Sequence, residues 1–316
     1  MGKNIDTAPK WIKAFFHSFS QVVLVENVIS GALILASFFV FSWQVSNWNI
    51  GIIAIVAAIV GNVTAKLLGN DDDAIAAGLF GFNPVLVGLG AATFFTGIDV
   101  YIVGILGSIL VIPLTTVINK LCERKGLPGF TMPFIAMTWF FILVSFQTGL
   151  LDAVGRAGML VSSSGGTIAG TLEWPGLLTK GIGQIYLLES VYASLLILVA
   201  FAVDRWHLAI KIAMVILVTI CLGLVFRVDI GLLNIGLFTY NSILVLMGME
   251  TFSKNKGNAV KYWLLVLLGL VVVVLVDYAA PTVLMPFALP TLTFPFVLVT
   301  WGLLYYEKHM SNMGND

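Results

Sequence analysis

The chain has 316 residues, of which 59% are apolar and 10% charged, with sixteen basic against sixteen acidic side chains and a mean hydropathy of +1.02. So little polar surface cannot coat a water-soluble globule of this size, which leaves an integral membrane protein. The charges balance and lie mostly in short gaps between apolar runs, so nucleic acid is excluded as a partner and the lipid bilayer is the expected surroundings.

Apolar runs of membrane length recur about ten times, near residues 28–45, 49–67, 75–97, 99–119, 130–150, 184–203, 208–226, 231–250, 260–278 and 288–306. They are predicted helices, because lipid offers backbone groups no hydrogen-bond partners. Two shorter stretches of mixed polarity, WIKAFFHSFS before Gln21 and WPGLLTKGIG before Gln184, cannot cross about 30 Å of hydrocarbon and read as re-entrant or tilted half-helices. MGKNIDTAPKWIKAFF has no compact apolar core before a small-residue cleavage site, so no cleavable signal is expected. Cys122, read in a charged loop, and Cys221, in an apolar run, are expected as free thiols.

A cytoplasmic N-terminus puts Lys3, Lys10, Lys13, Lys66, Lys120, Arg124, Lys125, Arg205, Lys211, Lys254, Lys256, Lys261 and Lys308 inside, and only Arg156, Lys180 and Arg227 outside. Thirteen against three favours both termini inside; a bacterial inner membrane is the expected location. The polar stretch from Asp152 to Lys180, with its SSSGG, is then extracellular and divides the chain into halves of five spans each. An odd number of spans forces the halves into opposite orientations. The predicted organisation is one membrane domain over 1–316, with a first repeat at 8–150, a connecting segment at 151–180 and a second repeat at 170–308.

Three duplicated blocks in the same order support that division. QVVLVEN from Gln21 recurs as QIYLLES from Gln184, GLFGFNPVLV from Gly78 as GLFTYNSILV from Gly236, and LPGFTMPFIAMTW from Leu127 as LPTLTFPFVLVTW from Leu289, at offsets of 163, 158 and 162. Seven of thirteen positions agree in the last pair, including Thr131 with Thr293 and Trp139 with Trp301. Shared Gln, Asn, Pro and Thr at fixed places predict an inverted repeat, with a solute path between the halves near the bilayer midplane.

Each block carries its own chemistry. Gln21 and Gln184 offer an uncharged donor and acceptor and are expected to face a water-filled vestibule, with Leu24 and Leu187 one turn on. Glu26 and Glu189 stand where long helices begin, with Asn27 and Ser190 as N-caps; a helix-end role and a proton-coupling role both remain open. Phe82 and Tyr240 precede Asn83 and Asn241, with Leu86 and Leu244 one turn beyond, so flat apolar walls with an amide nearby form a slot; the asparagines also suit capping of half-helices. In the third block Pro133 and Pro295 lack an N–H, which within a helix is expected to free the carbonyls of Gly129 and Thr291 beside Thr131 and Thr293, and if each helix starts only at the second proline, still more of the preceding carbonyls. The alternative is a pair of proline kinks, each threonine hydroxyl bonded back to its own helix.

LPGFTMPF with LPTLTFPF, and GLFGFN with GLFTYN, resemble the urea transporter family, whose hallmark is a duplicated LPxxTxPF, over residues 8 to 308. The resemblance implies an all-α polytopic membrane protein of two inverted repeats, each of about five transmembrane helices plus a re-entrant half-helix, assembled as a homotrimer with a pore in each subunit. It also implies passive, channel-like permeation of urea. Slot residues would be Leu24, Phe82, Leu86, Leu187, Tyr240 and Leu244, with Gln21 and Gln184 at the wide ends, the amides of Asn83 and Asn241 alongside, and Thr131 and Thr293 on an acceptor ladder. Leu24 departs from the pattern, since an aromatic is often found there, and the family assigns nothing to Glu26 and Glu189.

Urea fits the residues on its own terms, being small, planar and uncharged, with four N–H donors and one carbonyl. The blocks hold no charged ring apart from the glutamate pair, which disfavours an ion filter. The rival is a proton-coupled transporter of a small neutral solute using Glu26 and Glu189. His17, His207 and His309 lie near segment ends without repeat relation and are expected to be surface or interfacial, so no metal site or cofactor is expected. No serine has a histidine at matching depth, which argues against an enzyme.

Overall fold

The computed structural model describes residues 8–154 and 171–313, so Lys3, Arg156 and the SSSGG stretch lie outside the described residues. Among the described residues the chain is helical, with a single isolated antiparallel bridge between Phe95 and Ala153. The first half contains α1 (Lys10–Ser20), continued by a 3₁₀ turn at Gln21–Val23, then α2 (Val28–Gln44), α3 (Asn49–Leu67), α4 (Asp72–Ala76), α5 (Phe82–Phe94), α6 (Asp99–Glu123) and α7 (Met132–Thr148). The second contains α8 (Trp174–Gln184), α9 (Val191–Val225), α10 (Ile230–Asn234), α11 (Thr239–Phe252), α12 (Ala259–Leu284) and α13 (Phe294–Met313).

Four helical segments among the described residues are long and apolar enough to cross a membrane: α3, α6, α9 and Ala259–Phe287. Their outer faces carry exposed Ile52, Ile59, Leu106, Leu110, Leu217 and Leu268. Such a surface is stable against hydrocarbon and would associate in water. The chain is therefore an all-α polytopic membrane protein.

The half-helices fall where the mixed polarity puts them. Lys10–Val23 meets Val28–Gln44 at a bend of 76°. Two of the expected spans are instead broken at their glycines. The run at 75–97 resolves into α4 and α5, and the run at 231–250 into α10 and α11, with Gly78 at φ 80° and Gly236 at φ 81° in the breaks. A left-handed glycine ends one helix and re-aims the chain for the next. The runs at 184–203 and 208–226 are two helices as expected, meeting within α9 at a kink where Arg205 leaves helical geometry (φ −149°, ψ 103°). The polar gap there is a few residues, so the second helix follows the kink without an intervening loop. Cys122 lies in the last turn of α6, not in a loop, and both cysteines are free.

Two seams join the halves. On one side α2 packs along α9, where the Ser30 hydroxyl donates to the Ala200 carbonyl at 2.7 Å, the Ser190 hydroxyl donates to the Gln44 side-chain oxygen, and the Tyr186 hydroxyl donates to the Phe19 carbonyl at 2.8 Å. On the other, α7 meets α13. There Trp139 donates its indole N–H to the Pro290 carbonyl at 2.8 Å, and Trp301 donates to the Pro128 carbonyl at 2.7 Å. The reciprocity of these last bonds gives the repeated tryptophans a purpose beyond bulk.

Candidate permeation site

Between the seams the three duplicated blocks come together. After α1 the backbone turns left-handed at Leu24 (φ 57°), and after α8 at Leu187 (φ 61°). Their N–H groups donate to the carbonyls of Gln21 and Gln184, each at 3.0 Å. A left-handed residue is a common helix stop, yet glycine normally fills it, because a Cβ there costs about 1–2 kcal/mol. Both copies retain leucine, so the strain is held by the surroundings at matching places. The last carbonyls of a helix have no internal partner. Those of Val22, Val23, Ile185 and Tyr186 accept none of the described bonds outside the helices themselves, so the half-helix ends present acceptors that the sequence reading missed. The left-handed stop has no residue signature when leucine makes it.

Phe82 and Tyr240 open α5 and α11, and one turn on Leu86 and Leu244 are completely buried. Asn83 and Asn241 cap helices other than their own. The Asn83 side-chain oxygen accepts the Phe134 N–H at 3.3 Å, and that of Asn241 accepts the Phe296 N–H at 3.3 Å. Each thus satisfies an orphan donor in the first turn of the helix that follows LPxxT. Those helices begin at Met132 and Phe294, so Pro133 and Pro295 occupy the first turn, where a missing N–H costs nothing and no kink forms.

The carbonyls of Gly129 and Thr291, expected to be free, are therefore bonded. Gly129 accepts from Met132 N–H and Thr291 from Phe294 N–H, each at 3.3 Å, while the next residues, Phe130 and Leu292, turn left-handed at φ 49° and 50°. Beyond them stand the threonines. The Thr131 and Thr293 hydroxyls bond to each other at 2.7 Å, 2% and 3% exposed. Back-bonding to their own helices, one of the two alternatives, is not what is found.

The glutamines also differ from expectation. Both are buried, and the Gln184 amide donates to the Ile235 carbonyl at 2.9 Å, so it does not simply face open water. Because the half-helix is wedged against the α10–α11 break, the amide finds a partner there. Gln184→Ala is expected to destabilise by about 1–3 kcal/mol by orphaning that carbonyl. Gln21→Ala, whose side chain makes no described bond, should cost less; thermal unfolding of the purified variants in detergent measures the difference.

Asn27 and Ser190 cap as read, accepting the N–H of Ser30 at 3.0 Å and of Ala193 at 3.1 Å. Glu26 and Glu189 stand exposed at these helix entries, Glu189 paired with Lys180 at 2.9 Å. His17 is buried, not interfacial: its ring nitrogen bonds the Ala76 carbonyl at 2.8 Å, because α1 lies directly against α4. Among the described residues no group of three or more His, Cys, Asp or Glu is arranged to hold a metal ion.

Comparison with known proteins places these features in a family. The urea transporter family model matches residues 10–308. Similar relatives include urea transporter 1 of Rattus norvegicus, 30% identical over 235 residues (71% of this chain and 59% of that protein). Urea transporter 1 of Ovis aries is 28% identical over 260 residues, 77% of this chain and 63% of that protein. The chain thus spans somewhat under two thirds of the length of these relatives. With the family match covering all three duplicated blocks and the fold that joins them, the chain belongs to the urea transporter family.

Proposed function

We propose that the protein conducts urea passively across a bilayer, through a narrow path between two inverted repeats, without proton coupling. The observation that carries this reading is the meeting of Thr131 and Thr293, which brings one hydroxyl from each half to a buried point between duplicated acceptors and apolar side chains. A planar solute with four N–H donors would slide between Leu24, Phe82 and Leu86 on one side of that point and Leu187, Tyr240 and Leu244 on the other. Carbonyls at the half-helix ends and the threonine oxygens would take over donors that leave water. Apolar walls reject ions, which find no charge to replace their hydration. Gln21 and Gln184 shape the two approaches, and Glu26 and Glu189 serve the helix ends. The family and the names of the relatives support urea as the solute; a homotrimer in a bacterial inner membrane with cytoplasmic termini completes the proposal.

Purified protein in liposomes is expected to pass urea along its gradient, with unchanged rates when a pH gradient is imposed or collapsed and with no urea-dependent current. Uptake that vanishes with the proton gradient would replace the channel by a proton-coupled carrier.

A further inference from the structure

The two halves treat one matched pair of backbone acceptors differently. Phe130 and Leu292 occupy the same place in LPxxT, share a left-handed backbone and directly precede the paired threonines. A carbonyl oxygen has two lone pairs. On Leu292 both are taken: the Tyr240 hydroxyl donates at 2.5 Å and the Asn241 side-chain N–H at 3.3 Å. On Phe130 the described donor is Asn83 alone, at the limit of 3.5 Å. The cause is in the sequence, where Phe82 stands at the position matched by Tyr240 and has no hydroxyl.

A buried carboxyl reinforces the difference. Asp277 in α12 is 5% exposed and accepts from the Asn241 side-chain N–H at 2.7 Å. An acceptor at this place fixes which way the Asn241 amide points, since its nitrogen must face Asp277 and its oxygen the Phe296 N–H. Asp277 lies 36 residues after Asn241, and the residue 36 after Asn83 is Asn119, a neutral amide. Intramembrane carboxyls are costly and are retained mainly where they serve function. None of this was read from the duplicated blocks, since the tyrosine counts there only as another aromatic wall.

We propose that Tyr240 is a specificity-determining residue that closes one rung of the acceptor ladder, with Asp277 as the positioning residue that holds Asn241 in place behind it. The Phe130 carbonyl remains open to a permeating N–H donor, and the Leu292 carbonyl does not. The pore therefore binds an amide more tightly on its first-half side than on its second, which keeps a small solute from being held equally on both flanks of the central threonines. This inference rests on the urea-conducting reading above.

The test is urea influx against urea concentration in liposomes by light scattering, for wild type, Tyr240→Phe and Phe82→Tyr. Removing the Tyr240 hydroxyl opens a hydrogen-bond acceptor, so Tyr240→Phe is expected to lower the half-saturating concentration about two- to tenfold without raising maximal flux. Phe82→Tyr should raise it by a similar factor, because the new hydroxyl caps Phe130. Opposite shifts are the signature, since general damage to the fold moves maximal flux and does not split half-saturation in two directions. Half-saturation that is unchanged in both variants, or that moves the same way in both, overturns the assignment. If Tyr240→Phe does not fold, Phe82→Tyr decides alone by rising or not. A wild type that passes no urea would instead overturn the urea reading itself.

Discussion

Gly236→Ala is expected to cut the recovery of folded protein severely. At φ 81° an alanine pays about 1–2 kcal/mol for its left-handed backbone. A Cβ there would also lie 2.2 Å from the Gly181 nitrogen and 2.6 Å from the Gly181 Cα and the Lys180 carbonyl carbon. These are backbone atoms of α8, which no rotamer change can move aside, so overpacking adds about 1–3 kcal/mol or more, and the combined cost of about 2–5 kcal/mol is a large fraction of the roughly 5–15 kcal/mol that holds a domain folded. The contact also sits beside the Gln184–Ile235 bond, so any shift that relieves it pushes the half-helix away from the path it ends at. Gly97 supplies the control. It has φ 58° and nothing within 4 Å of a built Cβ, so Gly97→Ala bears the dihedral cost alone. Yield and melting temperature by size-exclusion in detergent would separate the two, and a Gly236→Ala protein as stable as Gly97→Ala would refute the crowding argument. Gly78→Ala, whose Cβ would lie 2.6 Å from the His17 backbone, should resemble Gly236→Ala.

That glycine pair illustrates what the sequence makes legible. Apolar length and the absence of water in lipid are enough to predict helices, and mixed polarity before Gln21 and Gln184 is enough to predict two short ones. Duplication then marks Thr131 and Thr293 as residues beside the expected path. Their partners are another matter, because a bond between residues 162 apart depends on how two halves dock, which no local pattern records. The asparagines were legible as caps, yet the helix each one caps is fixed only by tertiary packing. Proline marks a helix start as readily as a kink, and here it lies in the first turn, where the Gly129 and Thr291 carbonyls accept the N–H groups of Met132 and Phe294. His17 looked interfacial because it lies near a segment end; its partner is on α4, the Ala76 carbonyl 59 residues on in the sequence but 2.8 Å away in the fold, which no local pattern records.

The threonine pair yields a second large effect, in which stability and flux should part. Thr131→Val removes one hydroxyl and leaves the other buried without a partner, at an expected cost of about 1–3 kcal/mol; Thr293→Val should cost the same. The double valine variant removes both polar atoms and keeps both shapes, so it should be little less stable than wild type and more stable than either single variant. A thermal-unfolding double-mutant cycle reads that coupling directly. Urea flux should rank differently. If the hydroxyl pair opens to accept an N–H as urea passes, each valine removes an acceptor where water cannot replace it, lowering permeation very roughly five- to a hundred-and-fifty-fold, and the double variant is the slowest of all. Thr131→Ser keeps the oxygen and loses a methyl, so it should conduct much nearer wild type. A double variant that recovers flux together with stability would make the pair a clasp between the halves, whereas one that recovers stability and remains slow identifies the same two oxygens as a place where urea is held.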